Sequence, residues 1–223
     1  MKTSKARLLI ATVLLIFSLS VNAQKIRFGV FADPQLSWFT SDTKKFSQNG
    51  AVFGLNAGFS FERFFADRYA ITTGVSINSI GGNLLYKEAG YKIATRDSLY
   101  EMGAYTNAKI SVQYLSIPLG FKFKTNEIGY STFYAQLGVR GDIRLKGYAW
   151  IEDYDVDKEV IDSEQTNFGF ISYMIGGGIE YSLGGPSSLQ FGVNYSNGMT
   201  PAYKAGYGRI SLGNVSLRIG VVF

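Results

Sequence analysis

The densest chemistry in the chain lies between Glu152 and Glu164, where seven carboxylates stand against one lysine, Lys158. Asp153, Asp155, Asp157, Glu159 and Glu164 fall at positions 1, 3, 5, 7 and 12 of a calcium-loop spacing, and oxygen ligands so spaced can wrap a hard cation. Lys158 occupies the position where such a loop turns on glycine, and helical flanks are missing. A solvated hairpin turning near Asp157-Lys158 is therefore the favoured reading over a metal loop. Catalysis has less to work with. The chain contains no histidine and no cysteine. A serine nucleophile lacks its usual base, and thiol chemistry, thiolate metal sites and disulfides are excluded. A carboxylate or lysine mechanism would need a paired constellation, and none stands out. No catalytic, cofactor-binding or metal-binding residue is assigned.

A second set of charges is spread along the chain: Arg27, Asp33, Glu62, Lys122, Arg140, Asp142, Arg144, Glu180 and Arg218. Each sits in the polar phase of a stretch with period-two alternation, the mark of a strand with two different environments. The last ten residues show it well: Val215, Leu217, Ile219, Val221 and Phe223 alternate with Asn214, Ser216, Arg218 and Gly220. Seven further stretches repeat the pattern, at Ile26–Phe39, Phe53–Glu62, Ile71–Asn78, Leu115–Lys124, Phe133–Leu145, Ile171–Tyr181 and Leu189–Ser196. In the first, Phe31 breaks the phase and Pro34 predicts a bulge.

The connections alternate in length. Ala66-Asp67-Arg68, Thr125–Gly129 and Gly184-Gly185-Pro186 are short. Thr40–Gly50, Lys87–Ala108 and Gly147–Gln165 are long, and Asn197–Gly208 is intermediate. That asymmetry belongs to transmembrane barrels. Eight strands put both ends of the barrel on the short-turn side. The polar phase also carries many glycines, which make room for long side chains in a narrow lumen. Trp38, Phe39, Phe61, Phe64, Phe65, Tyr69, Trp150, Tyr181 and Phe223 crowd the strand ends, where aromatics meet membrane interfaces. The fold expected is all-β: an eight-stranded antiparallel transmembrane β-barrel with its apolar face in lipid. A soluble barrel with the apolar face inside is the alternative.

The beginning of the chain agrees. Lys2, Lys5 and Arg7 precede an apolar run from Leu8 to about Leu19, followed by Val21-Asn22-Ala23. This reads as a secretory signal peptide over residues 1–23, cleaved between Ala23 and Gln24, with 24–223 as one barrel domain. Without its three basic residues the formal charge falls from +5 to +2, so the high pI does not argue for nucleic acid.

Tyr114-Leu115-Ser116-Ile117-Pro118-Leu119, the glycine-rich Ile175–Tyr181 and the terminal Leu217–Phe223 resemble strands of the small PorT-like barrels of Bacteroidetes outer membranes. The resemblance covers nearly the whole mature chain and implies fold more than function. It carries no catalytic residues, and some relatives belong to a protein-secretion apparatus. A free terminal aromatic such as Phe223 resembles the signal read by the barrel assembly machinery. The expected protein is thus a non-enzymatic outer-membrane barrel of a Gram-negative cell, with extracellular loops and periplasmic termini. Its role is structural, or it binds an envelope or secretion partner. Its surroundings are the bilayer and lipopolysaccharide, which the acidic loop could bridge through divalent ions. A narrow porin-like channel is the second reading and a barrel enzyme the third. Eight strands leave a lumen only wide enough for their own side chains, so the inward charges are read as an ion-paired plug before a selectivity filter.

Overall fold

The computed structural model describes residues 26–96, 98–162, 166–202 and 209–223. The expected leader, its cleavage site and Glu164 lie outside the described residues. Among these residues twelve strands form: β1 (Ile26–Ser41), β2 (Phe46–Gln48), β3 (Val52–Ala66), β4 (Tyr69–Tyr86), β5 (Tyr91–Ala94), β6 (Leu99–Met102), β7 (Thr106–Lys124), β8 (Ser131–Ile151), β9 (Val156–Val160), β10 (Gly169–Ser182), β11 (Ser188–Gly198) and β12 (Ile210–Val222). The eight long ones pair antiparallel in the ring β1-β3-β4-β7-β8-β10-β11-β12, and β12 returns to β1. Closure leaves these eight strands no open edge, the condition for a sheet to stand in lipid. Phe28 and Phe223 exchange two main-chain hydrogen bonds of 2.8 Å at the closing seam.

The registers fix the barrel's geometry. Stepping across hydrogen-bonded partners from Ser37 leads through Asn214, Ser196, Met174, Gly138, Gly120, Thr72 and Glu62 to Arg27. The circuit ends ten residues lower on β1 than it began. A shear of ten over eight strands tilts them by roughly 40° from the axis. No bulge forms at Pro34, contrary to the sequence expectation. Its register partners run unbroken, with Pro34 opposite Leu55, and the missing N–H falls where β1 and β12 have no ladder partners between Phe31 and Gln35.

Face assignment follows from exposure. Phe53, Phe59, Leu119, Leu137, Ile175, Val193 and Leu217 are exposed on the outside. Asp33, Gln35, Glu62, Ser116, Lys122, Asp142, Glu180 and Asn214 are buried inside. From Phe170 to Tyr181, strands tilted this way carry the apolar belt over roughly 25 Å, the height of a bilayer's apolar layer. Aromatic pairs flank it. Phe65 stacks on Tyr69, which meets Phe123, at the turn end. Trp38, Tyr195 and Tyr173 form a row toward the loop end. Three residues expected in these girdles are not there: Phe39 and Phe64 point inward and are buried, and Trp150 stands past the belt near the loop end of β8, opposite Lys109. Leu137→Arg puts a charge into lipid and is expected to cost about 2–4 kcal/mol, read as a lowered urea midpoint in vesicles. Gln136→Arg, directed into the lumen, should cost less. The reverse order would contradict this face assignment.

The strands run further than their lower alternation shows, and at the loop end the pattern changes phase. In β7, Leu115, Ile117 and Leu119 face out, but Ala108, Ile110, Val112 and Tyr114 face in and are buried. In β4 the change falls between Ile77, outward, and Ile80, Leu84 and Tyr86, inward. In β12 it falls between Val215, outward, and Leu212 and Ile210, inward. Allowing for the shear, roughly one and a quarter residues per strand, Ser37, Ser79, Tyr114, Ile143 and Gly213 stand at about one height. Below that level apolar side chains face lipid. Above it they face each other.

They form a second core with Phe39, Phe46, Ile93, Met102, Ala149, Ile151, Val156 and Ile161. The three connections read as long loops all enter this head, the first through β2 and Phe46. Residues 87–108 contain the β5–β6 hairpin and the start of β7, while 147–165 contain the end of β8, a 3-10 turn at Glu152–Tyr154, and β9. β9 pairs back on β8, with Tyr148 opposite Val160 and Ile151 opposite Val156. The hairpin therefore turns at Glu152–Asp155, and not at Asp157-Lys158. The two hairpins are joined through the bridge Thr95–Ile161.

Candidate functional site

The inward charges form two ion-paired layers. At the turn end Glu180 is the hub. Its Oε2 receives Arg27 Nη1 at 2.6 Å and Lys124 Nζ at 2.5 Å, and its Oε1 receives Lys122 Nζ at 2.5 Å. Lys122 also pairs with Glu62, and its ammonium lies 4.4 Å from the centre of the Tyr134 ring. The charged residues come from β1, β3, β7 and β10, and Tyr134 from β8. Of the four strands that carry the charges only β1 and β3 are neighbours, so closure of the ring brings the side chains together across the lumen. Glycines in the polar phase make the room: a Cβ on Gly192 would collide with the Tyr134 hydroxyl.

The second layer lies above. Arg218 Nε reaches Asp33 Oδ1 at 2.8 Å, and its guanidinium lies 3.9 Å from the Phe31 ring centre. Phe31, out of phase in the sequence, is the inward platform for that cation. Arg140 Nε meets Asp142 Oδ2 at 2.9 Å, and Ser116 donates to Asp142. Amides complete the layer. Asn214 Nδ2 donates to Gln35 Oε1 at 2.8 Å, Gln35 Nε2 to Asn78 Oδ1 at 2.6 Å, and Gln136 Nε2 to Asn194 Oδ1 at 2.7 Å. The space left among these side chains is about 60 Å³, room for a few waters. Eight of the nine charges singled out in the sequence thus meet in the plug. Arg144 does not. It sits where the β7–β8 register shifts, and Nη1 donates to Thr166 Oγ1. Lys124, read from alternation only as a polar-phase residue, joins the plug as a partner of Glu180.

Ser116 beside Asp142 is the nearest approach to a nucleophile. Its hydroxyl donates to Asp142, whose other oxygen accepts from Arg140 Nε at 2.9 Å.

In the head, the calcium-loop positions separate. Glu159 turns toward the other hairpin, accepting from Thr95 Oγ1 at 2.7 Å and Tyr100 hydroxyl at 2.9 Å. Asp155 and Lys158 both adopt left-handed backbone, at φ 55° and 57°. The conformation that favours glycine is present at Lys158 without the glycine. It serves the β9 hairpin, where the β8–β9 register shifts between Ala149 and Ile151. No group of three acidic side chains able to hold a metal forms among the described residues. Sequence reasoning missed the head itself, although the inverted alternation Ala108-x-Ile110-x-Val112-x-Tyr114 is visible in the chain.

Residues 13–204 match the family model for the outer membrane protein beta-barrel domain. Among solved structures, the chain is similar to Neisserial surface protein A at 16% identity and a TM-score of 0.46, covering 87% of this chain and 95% of that one. Ail of Yersinia pestis, in complex with a heparin analogue, is similar at 14% identity and a TM-score of 0.43, covering 89% and 99%. OprG of Pseudomonas aeruginosa is similar at 12% identity and 0.42, covering 89% and 94%. No curated protein matches the chain.

Proposed function

The chain belongs to the outer membrane protein beta-barrel domain family, and from that premise we propose that it is a non-enzymatic, non-conducting anchor that presents a folded head to an envelope or secretion partner. The observation that carries this is the double closure of the lumen. An ion-paired plug fills the membrane level, and a buried apolar core fills the level above it. A barrel closed twice is built to hold something in place. Its head meanwhile displays Glu152, Asp153, Asp155 and Asp157 at the exposed tip of β8 and β9.

The finer placement belongs to the same proposal. Residues 24–223 are the barrel domain, following a leader removed at Ala23. The head faces outward and both ends of the barrel face the periplasm, where the assembly machinery would meet Phe223. The relationship is to the PorT-like barrels of Bacteroidetes. Tyr114–Leu119, which carries that resemblance, spans the level where the β7 alternation changes phase. Contact is with lipid and lipopolysaccharide, and nucleic acid is not a partner.

A narrow porin-like channel is the second reading, and the polar cavity beside Arg140 and Arg218 is what favours it. Planar-bilayer recording separates the two. The purified protein is expected to show no stable conductance steps, whereas reproducible channels would install the second reading. Binding is tested at the tip. Because Ala149, Ile151 and Val156 are core residues, excising the whole acidic stretch would damage the head. Changing Glu152, Asp153, Asp155 and Asp157 to their amides should leave folding intact. Crosslinking to envelope proteins in native membranes should then fall, most clearly at low salt where exposed charges are least screened.

A further inference from the structure

One part of the outer wall is unlike the rest. Along β8, the partner strand changes from β10, which ends at Gly169 opposite Ile143, to β9, which begins with Val160 opposite Tyr148. Two concavities meet at this seam. The lower one, about 420 Å³, lies in the apolar belt and is lined by Ile117, Gly141, Ile143, Gly169, Ile171 and Thr200 among others. Its floor is open because a Cβ on Gly141 would touch nothing within 4 Å. The upper one, about 490 Å³, begins at the next residue of the strand. Arg96, Arg144 and Lys146 line it, and among the described lining residues Asp162 is the one carboxylate. Leu145, exposed, lines the upper one as well.

The height of the seam decides what it can hold. Arg144 and Lys146 lie just above the level at which alternation changes phase, which is the edge of the apolar belt. A groove for hydrocarbon inside the belt, with a cationic pocket at its rim, matches an amphiphile that has an acyl chain and an anionic head. We propose that this seam is a binding site for a phosphorylated lipid of the surrounding leaflet. One acyl chain lies in the Gly141 groove and the phosphate meets Arg96, Arg144 and Lys146. Guanidinium groups suit phosphate oxygens because they donate in parallel pairs. Adjacent lipid is always present at the groove, so a modest preference suffices to fill it. The site rests on the membrane level of the belt and not on partner binding by the acidic tip.

Native mass spectrometry of the full protein in mild detergent tests this, with phosphatidylglycerol and phosphatidylcholine of identical chains as probes. The wild type should retain one phosphatidylglycerol in preference to phosphatidylcholine. Replacing Arg96, Arg144 and Lys146 by glutamine should erode that preference by roughly fivefold per cation removed. Arg68→Gln, an exposed cation at the opposite rim, should leave it unchanged. Gly141→Trp, which fills the groove, should weaken retention of both lipids. Heat-shifted gel migration reports folding of each variant. If the triple variant fails to fold, Lys146→Gln alone, at an exposed position, carries the charge test. Equal retention of the two lipids by the wild type overturns the proposal, as does an undiminished preference in the folded charge variant. Displacement of phosphatidylglycerol by millimolar inorganic phosphate, with no effect of Gly141→Trp, would show a free-anion site and equally overturn it.

Discussion

Glu180→Ala is expected to destabilise the barrel by about 3–5 kcal/mol, the usual cost of removing one partner from a buried ion pair. Three cations lose their common anion at once: Arg27, Lys122 and Lys124 all end on this carboxylate. Lys122 retains Glu62, but Arg27 and Lys124 are left close together without a counter-charge. Lys124→Ala should cost much less, because Glu180 keeps two cations and Lys124 lies nearer the turn-end mouth. Lys122→Met should fall between them or match Glu180→Ala, since it leaves Glu62 buried without a cation. Equilibrium urea unfolding in lipid vesicles, followed by the fluorescence of Trp38 and Trp150, gives the order. If Glu180→Ala costs no more than Lys124→Ala, the cluster is a set of independent contacts and not a plug held by one hub.

Most of this plug was legible in the sequence, because membrane strands obey a strict rule: what alternates with apolar residues must face the lumen. Arg27, Glu62, Lys122 and Glu180 announce their direction that way, and closure of an eight-stranded ring brings them within reach of one another. What alternation cannot give is pairing. Lys122 and Glu180 are 58 residues apart, and only the shear places them at one level. Arg144 shows the opposite limit. Its phase is that of Arg140 and Asp142, but it stands one inward position above them, opposite Tyr114 and just before the register shift, where its guanidinium meets Thr166.

The head was illegible for a different reason. The rule that apolar side chains face outward holds only where lipid is outside. Above the belt, water is outside, and the same pleat must present Ile80, Leu84, Ile110, Val112 and Leu212 inward. A reading that carries one phase along the strand sees the pattern fail there and assigns a loop. Tyr114-Leu115 is the informative pair, since two consecutive apolar residues in a strand mark the point where the solvent changes. Trp38-Phe39 does the same in β1: the indole is on the outer face against Tyr195, and the phenyl ring is in the core. Such doublets would have marked both the membrane boundary and the extra core from sequence.

Phe39→Ala tests whether that core carries stability, and about 3–5 kcal/mol is the expected loss. Phe39 is 1% exposed, whereas Phe53, on the lipid-facing side of β3, is 70% exposed. Truncating Phe53 removes a ring whose place lipid can take, so Phe53→Ala should cost far less in the same vesicles. Truncating Phe39 leaves a cavity among neighbours that strand pairing holds in place, with Gly82 directly against the ring. Limited proteolysis should then cut within the β5–β6 hairpin and the β8–β9 tip sooner than in the wild type. Equal costs for the two phenylalanines would mean that the upper lumen is merely covered and not packed. Neither Phe39→Ala nor Glu180→Ala alone should produce conductance, because each leaves the other closure in place. The polar layer and the apolar core lie one above the other, and Glu180 and Phe39 share no partner. Their costs should therefore add to within about 0.5 kcal/mol in the double variant. A coupling well above that would show the lumen to be one continuous packed unit, and the double variant would then be the place to look for an opened path.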